Sequence, residues 1–199
     1  MNTNKLEIFQ KILSFLVEIE QLKSVLRKTK PVGFERYENS AEHSWHVALA
    51  CLLLAPHMDR EIDVLKVLKM MLVHDLVEID TGDHIIYSEA HNNYEEELRA
   101  AQRLFSMLPV DQGRELLAIW QEFEKGDSAE ANFSRAIDRV VPVNQNLNNH
   151  FQSWVENDVK LEQVLEKNAH IEKASEDLWQ LLKTQIEAGS VDGKFKRND

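Results

Sequence analysis

The sequence predicts an all-α fold, and three observations carry that prediction. Every long pattern repeats its apolar residues at three- or four-residue spacing, the stripe of an amphipathic helix. Among 199 residues there are only 6 Gly and 4 Pro, too few punctuating residues for many short strands. The one β-like run, Ile85-Ile86-Tyr87, is too short to build a sheet.

The elements follow in order. Leu6, Phe9, Leu13, Leu16, Ile19, Leu22 and Leu26 mark a first helix over 6–26, broken by Pro31 and Gly33. Asn39 can cap a second helix, with Glu42 placed to reach back to the cap. Over 45–55 that helix is apolar nearly all round, which predicts burial in the middle of the fold. Pro56 ends it. A third, mostly apolar helix covers 62–79 and is interrupted by His74-Asp75; a loop over 80–92 follows, with Gly82 in it. Another helix spans 94–108, stopped by Pro109. The next is capped by Asp111 and runs to Phe123, with Gly126 behind it. Asp127 and Glu130 read as a capping box for a helix through Val140, which Pro142 should kink or end. Helices over 159–167 and 171–188 complete the set, with Gly189 as the last C-cap. The expectation is a single domain over 1–189, a bundle of about seven or eight helices, with a polar tail over 190–199.

Composition narrows the function. The chain carries 23 Lys+Arg against 34 Asp+Glu, a net charge of -11, and lacks the basic stripe that duplex binding needs. An anionic substrate would have to be held by a metal or a few placed Arg and Lys. The single Cys51 forbids an intrachain disulfide and a Cys-based zinc cluster, which suits a reducing, cytoplasmic setting. Neither a signal-peptide core nor a membrane-length apolar stretch is visible.

The chemistry starts at His74-Asp75. An ionised carboxylate inside an apolar helix costs several kcal/mol unless a cation or an Arg compensates it. Glu78 projects from the same side of the helix, and Asp80 and Asp83 flank Gly82 just beyond. His43 sits in the first turn of the second helix, and Asp138 interrupts the apolar stretch 133–141. Three buried-looking helices thus each carry a His or an Asp where a hydrophobe is expected. Two His and two Asp make a mixed N/O donor set. It suits one divalent ion (Mn²⁺, Co²⁺, Fe²⁺, Ni²⁺ or Mg²⁺, or Zn²⁺ in an open site), with positions left for water and substrate.

The ordered set His43, His74-Asp75, Asp138 resembles the HD-domain superfamily of metal-dependent phosphohydrolases. Glu42-His43-Ser44, the run from His74-Asp75 through Glu78 to Gly82-Asp83, the stretch Trp120 to Glu124, and Ala136 to Arg139 resemble the branch containing bacterial 5′-deoxynucleotidases and their eukaryotic relatives. The resemblance covers about 22–149. It implies that His43, His74, Asp75 and Asp138 bind the metal, and that Glu78 positions the attacking water or carries its proton. It implies that Arg27 contacts the substrate phosphate, that Asp83 lies near the sugar or orients that Arg, and that Glu122 is an acid at the rim. Arg36 is a second candidate phosphate contact. Some members carry an aromatic directly after the phosphate-binding Arg; here Lys28 stands there. The implied activity is a phosphomonoesterase on (deoxy)ribonucleoside 5′-monophosphates, from a homodimer. The alternatives are another small phosphate ester or nucleotide, or a non-catalytic metal- or nucleotide-binding module.

The remaining polar residues read as structural. His46 reads as a core or groove residue, and His57, His84, His91, His150 and His170 as exposed. The cluster from Asn144 to Asn149 reads as solvated surface. Trp45, Trp120, Trp154 and Trp179 read as core or interface.

Overall fold

The computed structural model describes residues 3–87 and 94–191. His91 and most of the expected tail, 192–199, lie outside the described residues. The fold is all-α; no strand occurs among the described residues, and Ile85–Tyr87 makes only a turn. The helices are α1 (Thr3–Glu18), α2 (Ser40–Leu54), α3 (Val64–Val73), α4 (Glu78–Thr81), α5 (Tyr94–Phe105), α6 (Val110–Lys125), α7 (Ala129–Asn148), α8 (Gln152–Glu156), α9 (Leu161–Asn168) and α10 (Glu176–Val191). The segments outnumber the seven or eight expected because 3₁₀ turns divide the longer patterns and α8 is a short extra piece.

At the centre α2, α3 and α7 pack on one another, with α6 against α3 and α7, and α10 against α7 and α9. Their core side chains include Val47, Cys51, Val67, Met70, Met71, Trp120, Phe133 and Ile137. Burial pushes the Cys51 thiol up to about 12, so it packs as a small hydrophobe. The capping box at the start of α2 forms as expected, Asn39 accepting from the Glu42 amide and Glu42 accepting from the Asn39 amide.

Several expectations are corrected. The helix expected over 62–79 is divided, because residues His74–Val77 tighten into a 3₁₀ turn between α3 and α4. Ser128, rather than Asp127, caps α7, and α6 starts after Pro109 with Asp111 inside its first turn. Helix α7 does not end at Pro142; its packing on α2, α3 and the 3₁₀ turn Ala169–Lys173 offsets the roughly 3 kcal/mol that an interior Pro costs. Nor is α2 wholly buried: Trp45 is 64% exposed, and Leu49, Leu52 and Leu53 share its outer face. Trp120, Trp154 and Trp179 are buried.

Gly189 is not a cap but lies inside α10, where the Phe151 ring packs against it. A Cβ there would sit 2.1 Å from Phe151 Cζ. Phe151 is itself buried and held at φ 59°, so it has little room to retreat. Gly189→Ala is therefore expected to destabilise the fold by about 1–3 kcal/mol, measured by urea denaturation.

Candidate metal centre

Three elements aim polar groups at one point. His43 comes from the first turns of α2, whose start is set by the Asn39 capping box. His74 and Asp75 come from the 3₁₀ turn that ends α3, and Asp138 from the middle of α7. All four are buried. One ligand atom each from His43, His74 and Asp75 lies within 4.8 Å of the others. Asp138 Oδ1 closes the group, 2.9 Å from His43 Nε2 and 3.4 Å from His74 Nε2. His74 Nε2 is 3.1 Å from Asp75 Oδ1. Adjacent donors around an ion with bonds of about 2.1 Å stand about 3 Å apart, so this spacing suits a single cation.

The hydrogen bonds around the cluster point the same way. His74 Nδ1 faces the Met71 carbonyl at 3.0 Å, and a carbonyl only accepts, so Nδ1 carries the proton. His74 Nε2 makes no hydrogen bond although it is buried beside two carboxylates. A neutral imidazole would turn its lone pair on those oxygens, a repulsive arrangement unless a cation sits between them. Without a metal a proton takes that role. Burial alone would depress the His74 imidazolium, but Asp75, Asp138 and Glu78 outweigh it and carry the pKa up to about 9. Burial likewise works against the Asp138 charge, yet Arg139 and the His43 and His74 imidazoles hold its carboxyl well below the usual range.

Two further predicted residues stand beside the cluster. Glu78 Oε2 accepts from the Ser40 hydroxyl at 2.5 Å; burial first, then Asp75, pushes its carboxyl well above the ordinary value. Arg27 Nη1 lies 3.2 Å from Asp75 Oδ2 and 3.5 Å from Asp83 Oδ1. Burial opposes the Arg27 charge, but Asp75, Asp83, Glu78 and Asp138 keep it protonated. Arg27, His74, Asp75, Glu78, Asp83 and Asp138 all open on one cavity of about 1070 Å³.

A family model described as an HD domain matches residues 19–179, most of the chain. The chain belongs to the HD-domain family.

This HD-domain chain is 30% identical over 134 residues to human "5′-deoxynucleotidase HDDC2", an alignment covering 64% of this chain and 63% of that protein. It is 28% identical over 164 residues to the Dictyostelium discoideum protein of the same name, covering 78% and 85% respectively. The chain thus spans somewhat under two thirds of the length of the human relative. A crystal structure of a "predicted metal-dependent phosphohydrolase" from Magnetospirillum magnetotacticum is 36% identical, with a TM-score of 0.89, covering 95% of this chain and 98% of that one. The family implies a divalent metal, and the two imidazoles and two carboxylates fit one.

Not every predicted site residue reaches the cavity of this HD-domain chain. Glu122 pairs instead with Lys66 on α3 at 2.6 Å, on the outer side of α6. Its neighbour Glu124 lines the cavity, where burial and then Glu97 push its carboxyl up to about 7. The two lie on different faces because a helix turns about 100° per residue. Arg36 forks onto the Glu42 carboxylate and is absent from the cavity lining. His57, His84 and His150 are exposed, as expected, although His84 also borders the cavity. His170 and Asn146 correct the reading: His170 is half-buried on the cavity wall, and Asn146 is buried there, its Oδ1 accepting from the Ser153 amide at 3.0 Å.

One buried carboxylate in this HD-domain chain escaped the sequence reading altogether. Glu38 is 2% exposed and meets Arg27, His43 and Gln145. In the sequence it sits between charged and aromatic residues (Glu35, Arg36, Tyr37) and the N-cap Asn39, which reads as a solvated loop. Backbone pairing across that loop, which no local pattern announces, brings it inside. Arg27 N–H donates to the Glu38 carbonyl at 2.8 Å, and Glu38 N–H to the Thr29 carbonyl at 2.9 Å.

Proposed function

We propose that this chain is a metal-dependent phosphohydrolase that releases phosphate from small phosphate monoesters, with (deoxy)ribonucleoside 5′-monophosphates as the substrate class. The observation that carries the reading is the convergence of His43, His74, Asp75 and Asp138, with Glu78 and Arg27 beside them, at the edge of a cavity large enough to admit a nucleotide. The names of the relatives support the same reaction class.

A divalent cation at this centre supplies Lewis-acid polarisation of a phosphoryl oxygen and makes water more acidic. The chain's own groups do the rest. Arg27 binds phosphoryl oxygens through its planar fork, drawn away from carboxylates that stand 3.2 to 3.6 Å off. Asp83 orients Arg27 from the cavity side. Glu78, fixed by Ser40, orients the attacking water and takes its proton. In-line placement and charge compensation are most of what phosphoryl transfer requires. Lys28 borders the cavity next to Arg27, where an aromatic would otherwise face the nucleoside, so the base contributes little to selectivity.

The same reading extends to the setting. No described helix is long and apolar enough to cross a membrane, and with a lone buried Cys51 the chain suits the cytoplasm. Exposed Leu6, Phe9, Leu13 and Leu16 on α1, with Trp45, Leu49, Leu52 and Leu53 on α2, offer apolar surface that a homodimer would cover. The proposed machinery falls within the 1–189 stretch read as one domain.

The test is a panel of phosphorylated metabolites, assayed after chelator treatment with each of Mn²⁺, Co²⁺, Ni²⁺, Fe²⁺, Mg²⁺ and Zn²⁺. Phosphate release from deoxyribonucleoside 5′-monophosphates, restored by metal alone, is expected. Release only from other esters would move the substrate class, and release from none would leave a binding module. Arg27→Ala is expected to leave metal binding intact but to raise KM and the inhibition constant of inorganic phosphate about ten- to a hundredfold, the worth of a charged hydrogen bond.

A further inference from the structure

Three buried polar atoms in this fold lack a hydrogen-bond partner and meet at one place: Arg27 Nε, Glu38 Oε2 and His43 Nδ1. Glu38 Oε2 lies 3.6 Å from Arg27 Nε and 3.5 Å from His43 Nδ1, just beyond the 2.7–3.2 Å of a made N–H···O bond. Each gap exceeds the made bond by only about 0.5 Å. The rest of Glu38 is already fixed. Gln145 Nε2 donates to Oε1 at 2.8 Å, the two backbone bonds to Arg27 and Thr29 hold its main chain, and the N-cap of α2 follows directly.

The two nitrogens of His43 face two acceptors, Glu38 on the Nδ1 side and Asp138 on the Nε2 side, with Nε2 2.9 Å from Asp138 Oδ1. Only the tautomer with the proton on Nδ1 leaves Nε2 free to ligate an ion shared with Asp138. A carboxylate behind Nδ1 selects that tautomer and makes the ring a stronger donor. The same oxygen faces Nε of Arg27, leaving the terminal nitrogens of the guanidinium for the cavity. Glu38 does not line the cavity, and it faces the Nδ1 side of His43, the opposite side from Asp138.

We propose that Glu38 is the positioning residue that joins the two halves of the site: through one oxygen it sets the tautomer of the ligand His43 and the orientation of the phosphate-binding Arg27. The inference rests on the metal-centre reading of His43 but needs no particular substrate.

The experiment is calorimetric titration of chelator-stripped protein with Mn²⁺, for wild type, Glu38→Gln, Glu38→Asp and Gln145→Ala, beside thermal unfolding of the stripped proteins. Glu38→Gln keeps the shape and the Gln145 contact but removes the charge. It is expected to unfold within a few degrees of wild type yet bind Mn²⁺ ten- to a hundredfold more weakly, the usual cost of losing a carboxylate behind a ligating His. Glu38→Asp should recover part of that loss, which a role in packing alone would not give. A folded Glu38→Gln with Mn²⁺ affinity within twofold of wild type overturns the proposal. Should Glu38→Gln fail to fold, Gln145→Ala decides: it frees Glu38 Oε1 and should weaken Mn²⁺ binding at least threefold, and unchanged affinity overturns the proposal. The readout is separate from turnover. A wild type that binds Mn²⁺ but cleaves no phosphate ester would refute the hydrolase and leave this role standing.

Discussion

Asp138→Ala is expected to abolish divalent-metal binding and phosphate-ester hydrolysis together, and His74→Ala to do the same. Asp138 Oδ1 lies between the two imidazoles, 2.9 Å from His43 Nε2 and 3.4 Å from His74 Nε2, so its loss removes the common point of the cluster. The effect on metal affinity should exceed the roughly hundredfold typical of losing an outer partner. Calorimetry with Mn²⁺ and phosphate release, run on the same preparations, check it. A variant that loses activity but keeps metal affinity contradicts the ligand assignment. Asp138→Asn, which keeps the shape, separates this loss from a packing defect.

A pH dependence accompanies that prediction. In the cation-free protein the His74 pKa is raised from 6.5 to about 9 by its carboxylate neighbours, against the effect of burial. The charged imidazole therefore stabilises the cation-free fold fully below the ordinary pKa of about 6.5, and that contribution disappears as the pH rises through about 9. A metal must displace the same proton. Affinity of the stripped protein should climb about tenfold per pH unit between about 6.5 and 9 and then level off, with about one proton released per ion bound. A flat affinity across that range would refute the competition.

Glu78→Ala should separate binding from turnover. Glu78 stands one turn beyond Asp75 and is hydrogen-bonded to Ser40, outside the group formed by His43, His74 and Asp75. Removing it should leave Mn²⁺ affinity within a few-fold of wild type and lower kcat by about 10²–10⁴, the usual contribution of a general base. Its removal also relieves repulsion with Asp75, so the stripped variant should be no less stable than wild type. Full activity in this variant would remove Glu78 from the mechanism.

How much of this was legible in the sequence follows from the range of each interaction. The α2 capping box and the placement of His43, His74 and Asp138 in apolar helices depend on local spacing, and the four proposed ligands are brought together as read. Glu38 was missed because its burial comes from pairing between residues 27 and 38 across a loop, and its own neighbours are polar. Glu122 and Glu124 are two residues apart, and deciding which faces the cavity needs the rotation of α6 about its axis, which sequence fixes loosely. Local propensity makes Pro142 a kink or a stop; packing of α7 on three neighbours carries the helix through it. That proline, four residues after Asp138, also denies the Asp138 carbonyl its usual helical N–H partner. The apolar run of α2 predicted burial, but hydrophobicity alone cannot distinguish a core face from an exposed one.

The central claim is that side chains from α2, the turn after α3, and α7 share one divalent ion. X-ray absorption spectroscopy of the chelator-stripped protein reloaded with one equivalent of Co²⁺ tests it most directly. The account predicts two imidazole nitrogens among the ligands, the rest oxygen, with one imidazole lost in His74→Ala. An ion bound through oxygens alone, indifferent to that substitution, would place it elsewhere on a surface of net charge -11 and contradict the account.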